Sequence, residues 1–98
     1  MVEHTVWFKM ADGTGKPERE QLMAALRALK AQIAEIESLA VGEDFSGRSR
    51  GFEVGLVVRF KDRAGLEIYG PHPMHKKFIE GHKHLWSEVQ ALDFEDGE

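Results

Sequence analysis

The sequence predicts an α+β domain with the element order β-α-β-β-α-β, formed as one domain by residues 1–98. Two observations predict this order. Several stretches alternate apolar and polar residues at period two, which is typical of strands, and apolar residues between them recur at helical spacing. The order is ferredoxin-like, so we expect a four-stranded antiparallel sheet with helices on one face. The length of 98 residues suits a single small core.

The first strand and the first helix follow from the start of the chain. Residues 2–10 alternate, and one face of this strand carries Val2, His4, Val6, Phe8 and Met10. The turn-forming sequence ADGTGK follows, and Pro17 suits the first position of a helix. Apolar residues at helical spacing then predict about five helical turns; they are Leu22, Leu26, Leu29, Ile33 and Ile36.

Three further strands and a divided helical region complete the predicted order. The strands are expected at residues 39–45, 52–60 and 87–95. A short helix is predicted over residues 63–69 and ends before Gly70 and Pro71, because proline disfavours helix in the preceding residue. A second helix is expected to start at Pro73.

The two faces of the predicted sheet differ in composition. The strongly apolar strand faces are expected to pack under the helices, with Val6, Phe8, Leu56, Val58 and Leu92. Phe52, Val54 and Phe60 alternate on the same face of their strand as Leu56 and Val58. The opposite face has an apolar centre with charged residues near the strand ends, as protein interfaces do. We therefore predict a homodimer in which two sheets pack face to face through Trp7, Val57, Val89 and Ala91. The alternative is that Trp7 is a single exposed apolar residue without a partner.

Composition excludes several classes of protein. The chain has no cysteine, which excludes disulfides, thiolate zinc sites and thiol catalysis. A net charge of −4 argues against binding of nucleic acid or of anionic membranes. The first ten residues lack the features of a signal peptide, and no apolar run approaches the ~20 residues of a membrane span. We expect a cytoplasmic protein.

Histidine and tyrosine residues cluster in the second half of the chain. Four of the five histidines lie between residues 72 and 84, just after Tyr69. Helical spacing places His75 and His82 on one inward face with Phe78, Ile79 and Leu85. His4 lies on the strand face that meets the helices. We predict a ligand cavity there, formed by His4, Tyr69, His72 and His75 with apolar walls of Val6, Phe8, Leu26, Leu56, Phe78 and Leu92.

These residue types suit proton transfer without a cofactor. An imidazole with a pKa of about 6.5 can take a proton from a carbon acid or a phenol near neutral pH. A tyrosine hydroxyl can stabilise a developing oxyanion. His75 is the expected general base and Tyr69 the oxyanion donor, with His4 assisting, in an enolisation, aldol closure or isomerisation. The alternative is a closed core in which these groups only hydrogen-bond the backbone.

No metal ligand and no cofactor are predicted. His72 and His75 are three residues apart, whereas a chelating pair on a helix would be four apart. A hard cation bound by backbone oxygens would leave no sequence signal. The sequence SGRSRG, with Arg48 and Arg50, is more typical of a solvated hairpin connection than of an anion site.

The chain resembles the stress-responsive dimeric α/β-barrel proteins, the Dabb family. The resemblance rests on HTVWFKM in the first strand, GEDFS after the first helix, GFEVGLVVRF in the third strand, and YGPHPMHKKF before ALDFE. It implies a ferredoxin-like protomer and a homodimer whose two sheets close into a barrel. A stress-related structural dimer without catalysis and a related cofactor-free monooxygenase are the alternative functions.

The chain is also distantly similar to the family's plant olivetolic acid cyclase, which closes a linear polyketide by aldol condensation. The resemblance implies that the catalytic tyrosine and histidine of the cyclase correspond to Tyr69 and His75, and its strand-one histidine to His4. The chain departs from the cyclase at Leu26, which replaces a pocket tyrosine, and at Val54, which replaces a histidine. The resemblance therefore implies a pocket with Tyr69 and His75 more strongly than polyketide cyclisation.

Overall fold

The computed structural model, which describes residues 1–97, contains a four-stranded antiparallel sheet with helices on one face. The elements in chain order are β1 (Val2–Met10), α1 (Lys16–Gln32), β2 (Ile36–Glu43), β3 (Val54–Phe60), α2 (Arg63–Tyr69), α3 (Pro73–His82), a 3₁₀ turn (Lys83–Leu85) and β4 (Trp86–Glu95). The strand order is β2-β3-β1-β4. The ferredoxin-like fold predicted from the sequence is confirmed. Within residues 1–97, no helix is both long and apolar enough to cross a membrane.

Helix α1 begins near the predicted residue and ends earlier than predicted. The Gly15 N–H donates to the Glu18 carboxylate at 2.8 Å, and this hydrogen bond lowers the pKa of Glu18. The helix stops at Gln32 because Ile33 adopts an extended backbone and the chain turns, with the Ile36 N–H donating to the Ile33 carbonyl at 3.2 Å. The helix has 17 residues, about five turns as predicted. The placement of Ile33 and Ile36 on it is wrong, because Ile33 follows its last turn and Ile36 begins β2, although both are buried.

Strand β2 spans Ile36–Glu43 rather than the predicted residues 39–45. It ends because the Asp44 carboxylate starts a turn, accepting hydrogen bonds from the Ser46 hydroxyl at 2.7 Å and the Gly47 N–H at 2.9 Å. These bonds lower the pKa of Asp44. Phe45, predicted to lie in the strand, is instead 99% exposed on the loop.

The side-chain faces of β4 are the reverse of those predicted. Directly opposed residues in an antiparallel pair point to the same side of a sheet. Phe8 pairs with Val89 and Thr5 pairs with Leu92. Val89 and Ala91 therefore lie on the helix side of the sheet, and Leu92 lies on the opposite side, 66% exposed. The predictions of Leu92 under the helices, and of Val89 and Ala91 at the interface, are wrong.

The error in β4 has a physical cause. Residues 88–95 alternate as predicted, and only the assignment of the two sides to the helices and to the opposite surface is reversed. A bulge at Ser87, where the ladder passes from Lys9–Glu88 to Met10–Trp86, displaces only Trp86 from this alternation. The apolar residues of β4 do not identify its buried face, because the surface of the sheet away from the helices is itself apolar.

We call that surface the open face; its large exposed apolar residues are Trp7, Val57, Leu92 and Phe94.

Phe52 also lies on the open side of the sheet, not under the helices as predicted. Strand β3 begins only at Val54, so the strand alternation does not reach Phe52. Its ring packs edge-on against Trp7, with ring centroids 6.0 Å apart, and the Lys9 ammonium lies 5.0 Å from its centre. Phe52 therefore extends the apolar surface around Trp7.

Candidate functional site

A cavity of about 200 Å³ lies between the sheet and the helices. The sheet contributes His4, Val6, Phe8, Leu56, Val89 and Ala91 to its wall. The helical layer and the start of β4 contribute Leu26, Tyr69, His75, Phe78, Ile79 and Trp86. Because Val89 is 49% exposed while it lines the cavity, the opening lies beside β4.

Tyr69 and His75 meet in this cavity because the helical region is broken between them. Helix α2 ends at Tyr69, and Pro73 starts α3. The two rings lie with their centroids 4.3 Å apart. The His75 Nδ1–H donates to the Gly70 carbonyl at 2.9 Å. A carbonyl can only accept, so Nε2 of the neutral ring carries the free lone pair that can take a proton.

Burial lowers the pKa of His75, and this effect outweighs the hydrogen bond to the Gly70 carbonyl, which favours the charged ring. Positive charge on His4 or His72 would lower the pKa of His75 further. The imidazole of His75 is therefore neutral at pH 7, the state that a general base requires.

Tyr69 is 2% exposed, and burial raises the pKa of its hydroxyl to about 12. A phenol of ordinary pKa is already protonated at neutral pH, and burial strengthens that preference. In that state it can donate a hydrogen bond to a ligand oxygen in the cavity.

His4 is held by a residue that the sequence did not indicate. Its Nδ1–H donates to the Asp93 carboxylate across the β1–β4 pair. The His4 ring lies edge-on to Tyr69, with ring centroids 5.5 Å apart. The structure therefore places the three predicted catalytic residues, His4, Tyr69 and His75, around one space.

The family model of the stress responsive A/B barrel domain, Dabb, matches residues 2–96. The chain belongs to the Dabb family. This Dabb chain is 30% identical to an uncharacterized protein of Streptomyces coelicolor, over 100% of this chain and 99% of that protein.

Two solved structures share the fold of this Dabb protein. One is a dimeric ferredoxin-like protein of unknown function from Thermobifida fusca, with 24% identity, a TM-score of 0.81, and coverage of 95% of this chain and 88% of that one. The other is the hydroxynitrile lyase of Passiflora edulis, with 18% identity, a TM-score of 0.84, and coverage of 95% and 90%. At these identities the similarity shows the fold alone.

Among the predicted pocket residues of the Dabb chain, Val6, Phe8, Leu26, Leu56 and Phe78 line the cavity. Two others do not, and their assignment to the pocket is wrong. Leu92 is on the open face. His72 is the N-cap of α3, where its Nδ1 accepts from the Met74 N–H at 3.0 Å. This bond satisfies a helix-end amide that would otherwise lack a partner.

His82 was also predicted to point toward the sheet, and the structure places it elsewhere. Its Nδ1–H donates to the Phe78 carbonyl at 2.8 Å, and its ring stacks on Phe78. It lines a separate groove between α1 and α3 with Ala25 and Ala28. Within residues 1–97 no group of three histidine or carboxylate side chains is arranged to hold a metal ion.

Sequence reasoning missed five wall residues or neighbours of the site, four of them on β4. The fifth, Ile79, is predicted on the inward face of its helix but not as a pocket residue. Trp86, Val89, Ala91 and Asp93 were either unassigned or placed on the other face. The four residues on β4 include Val89, Ala91 and Asp93, which the sequence correctly groups on one side of the strand; the one error is the assignment of that side away from the helices. Trp86 precedes the predicted start of the strand, and its ring packs on Phe8 with centroids 5.0 Å apart.

Replacement of His72 with alanine is expected to lower the free energy of unfolding by about 1 kcal/mol, because the Met74 N–H loses its cap. Chemical denaturation of the two proteins measures this difference. Ligand binding in the cavity should be unchanged, because His72 does not line it. A loss of binding in a folded His72→Ala protein would contradict this placement.

Stability should depend on Tyr69 at high pH. The folded-state pKa is about 12 and the ordinary value is 10.0. Between these values the unfolded chain loses its phenolic proton first, so the stability that Tyr69 contributes falls as pH rises from 10 to 12. The loss approaches roughly 2–3 kcal/mol relative to Tyr69→Phe, which has no phenol to ionise. Denaturation curves at pH 9 and pH 11.5 give the free energy of unfolding of both proteins. The same change in this free energy in both proteins would contradict the prediction.

Proposed function

We propose that this Dabb protein is a homodimer that binds a small, partly apolar molecule between its helices and sheet, and that it transfers protons on that molecule without a cofactor. The observation that carries the proposal is the pair of rings in one cavity, neutral His75 and un-ionised Tyr69, with centroids 4.3 Å apart. A neutral base beside a hydroxyl donor suits enolisation and isomerisation.

Each residue has a defined part in the proposed step. His75 Nε2 takes a proton from the carbon next to a ligand carbonyl, and the electron pair of that C–H bond moves toward the carbonyl oxygen. The Tyr69 hydroxyl donates a hydrogen bond to that oxygen as it becomes an enolate. The imidazolium of His75 then returns a proton to carbon, and the ketone is restored. The Asp93 carboxylate orients His4 beside the phenol.

The cavity favours this function over the other candidates. A closed core in which the histidines only hydrogen-bond the backbone would leave no such space beside Tyr69 and His75. The volume of about 200 Å³ is below the 300–1,000 Å³ typical of sites for drug-sized ligands. A long polyketide chain is therefore a poor match, and a single-ring ligand is a better one.

The open face supports the dimeric part of the proposal. It exposes four large apolar residues across three strands: Trp7, Val57, Leu92 and Phe94. Several large apolar residues exposed on one face of a sheet are typical of protein interfaces. The structurally similar protein from Thermobifida fusca is described as dimeric.

Exchange of the α-protons of cyclohexanone in D₂O tests the proposed proton transfer. Cyclohexanone is a ring-sized ketone, and each enolisation replaces one α-proton with deuterium, which ¹H NMR follows directly. The protein should accelerate this exchange above the rate in matched buffer. Exchange at the buffer rate, with cyclohexanone shown to occupy the cavity by NMR, would overturn the catalytic part of the proposal.

A further inference from the structure

The polar and charged groups around the cavity restrict what it can bind, an inference that rests on the function proposed above. We propose that the cavity selects neutral single-ring ketones and their hydroxylated enol forms, and rejects carboxylates and phosphates. Phenol is a stable compound with the shape and hydrogen-bonding groups of a cyclic enol, so it is the appropriate probe.

The wall of the cavity carries no permanently positive side chain. The lining residues include no lysine and no arginine. The lysines of α3 that flank His75, Lys76 and Lys77, are exposed and do not line the cavity. An anion in the cavity would therefore lose its water without gaining a cationic partner, which is strongly unfavourable.

The polar groups of the wall are neutral or paired. Burial keeps the His75 ring and the Tyr69 hydroxyl uncharged at pH 7. His4 is the third polar group, and its partner is the Asp93 carboxylate, so the pair has no net positive charge in either protonation state. The wall therefore offers a ligand anion no unpaired cation.

Hydrogen bonding favours a hydroxyl group that both donates and accepts. The free lone pair of His75 Nε2 needs a donor, because Nδ1–H is already bonded to Gly70. The Tyr69 hydroxyl needs an acceptor. An enol or phenol oxygen can accept from Tyr69 while its proton is donated to His75, whereas a plain hydrocarbon satisfies neither group.

Size limits the ligand to about one ring. An apolar protein cavity of about 150 Å³ accommodates benzene. A volume of about 200 Å³ thus holds a six-membered ring with one or two small substituents. The aromatic residues Phe8, Phe78 and Trp86 in the wall provide the apolar contacts for such a ring.

NMR titration with phenol, benzene and benzoate at pH 7 tests the inference. Trp86 lines the cavity and Trp7 lies on the open face. Since the chain has two tryptophans, the Trp7→Phe variant assigns the remaining indole N–H signal to Trp86.

Phenol should shift this signal saturably, with an affinity at least about tenfold above that of benzoate. Tyr69→Phe should weaken phenol binding about three- to tenfold and leave benzene binding unchanged.

The outcomes separate this inference from the function on which it rests. Benzoate binding as tightly as phenol would overturn the selectivity for neutral ligands and leave the ligand cavity intact. Equal affinity for phenol and benzene would overturn the role of the hydroxyl group. Absence of binding by all three compounds would contradict the ligand cavity itself, and with it the proposed function.

Discussion

Replacement of His75 with alanine is expected to reduce the protein-dependent exchange of cyclohexanone α-protons by at least about 100-fold, the lower end of what general-base catalysis typically contributes. The variant loses the free Nε2 lone pair of the imidazole that lies nearest Tyr69, with ring centroids 4.3 Å apart. The fold should persist, because His75 is only partly buried and bonds to one backbone carbonyl. ¹H NMR in D₂O measures the exchange rates.

His82→Ala provides the matched control for this experiment. His82 lies on the same helix, and its Nδ1–H also donates to a backbone carbonyl, that of Phe78. It does not line the cavity. The control should retain the exchange rate of the unmodified protein. Equal rates in the His75→Ala, His82→Ala and unmodified proteins would show that His75 is not the base.

The pH dependence of exchange provides a second readout for His75. Only the neutral ring can take a proton, and burial lowers its pKa from the ordinary value of 6.5. The protein-dependent rate should therefore fall as pH decreases, with its midpoint below 6.5. A midpoint above 6.5 would show that burial is not the dominant influence on the pKa of His75.

Replacement of Leu92 with glutamate is expected to convert the proposed homodimer into a monomer. Leu92 is 66% exposed on the open face, so the charge is well solvated in the separate chain. In a face-to-face dimer with two-fold symmetry, each copy would bury this carboxylate against an apolar surface, which is costly. The dimer dissociation constant should rise at least about 100-fold, as measured by sedimentation equilibrium.

Ile68→Glu is the control for the Leu92 variant. Ile68 is an apolar residue of α2 that is 48% exposed, on the helical side of the sheet. The same change there adds the same charge without altering the open face, and the protein should remain dimeric. A dimer that tolerates glutamate at Leu92 and not at Ile68 would place the interface on the helices.

The alternation of β1 could be predicted because only one of its faces is deeply buried. Val2, Val6 and Phe8 are each at most 7% exposed, while Trp7 is 47% exposed. The proximity of Tyr69 and His75 was also predictable. The sequence places a helix break between them, and a break lets residues from two short helices face one space.

The position of β4 could not be predicted from apolarity. Each face of this strand carries apolar residues, since one borders the cavity and the other belongs to the open face. The decisive fact is the register in which β4 pairs with β1, two strands at opposite ends of the chain. The hydrogen bond between His4 and Asp93 depends on the same pairing, so the sequence alone could not predict it.

The alternation of β4 has a consequence for how Dabb chains of this kind can diverge. Val89 and Ala91 line the cavity, and Leu92 and Phe94 on the intervening side belong to the open face. Odd and even positions of one short segment can therefore accept substitutions independently, one set altering the proposed ligand cavity and the other altering the proposed dimer interface. A single-residue insertion or deletion in this segment would exchange the two sets and damage both properties at once. Point substitutions, rather than length changes, are the tolerated route for engineering this strand.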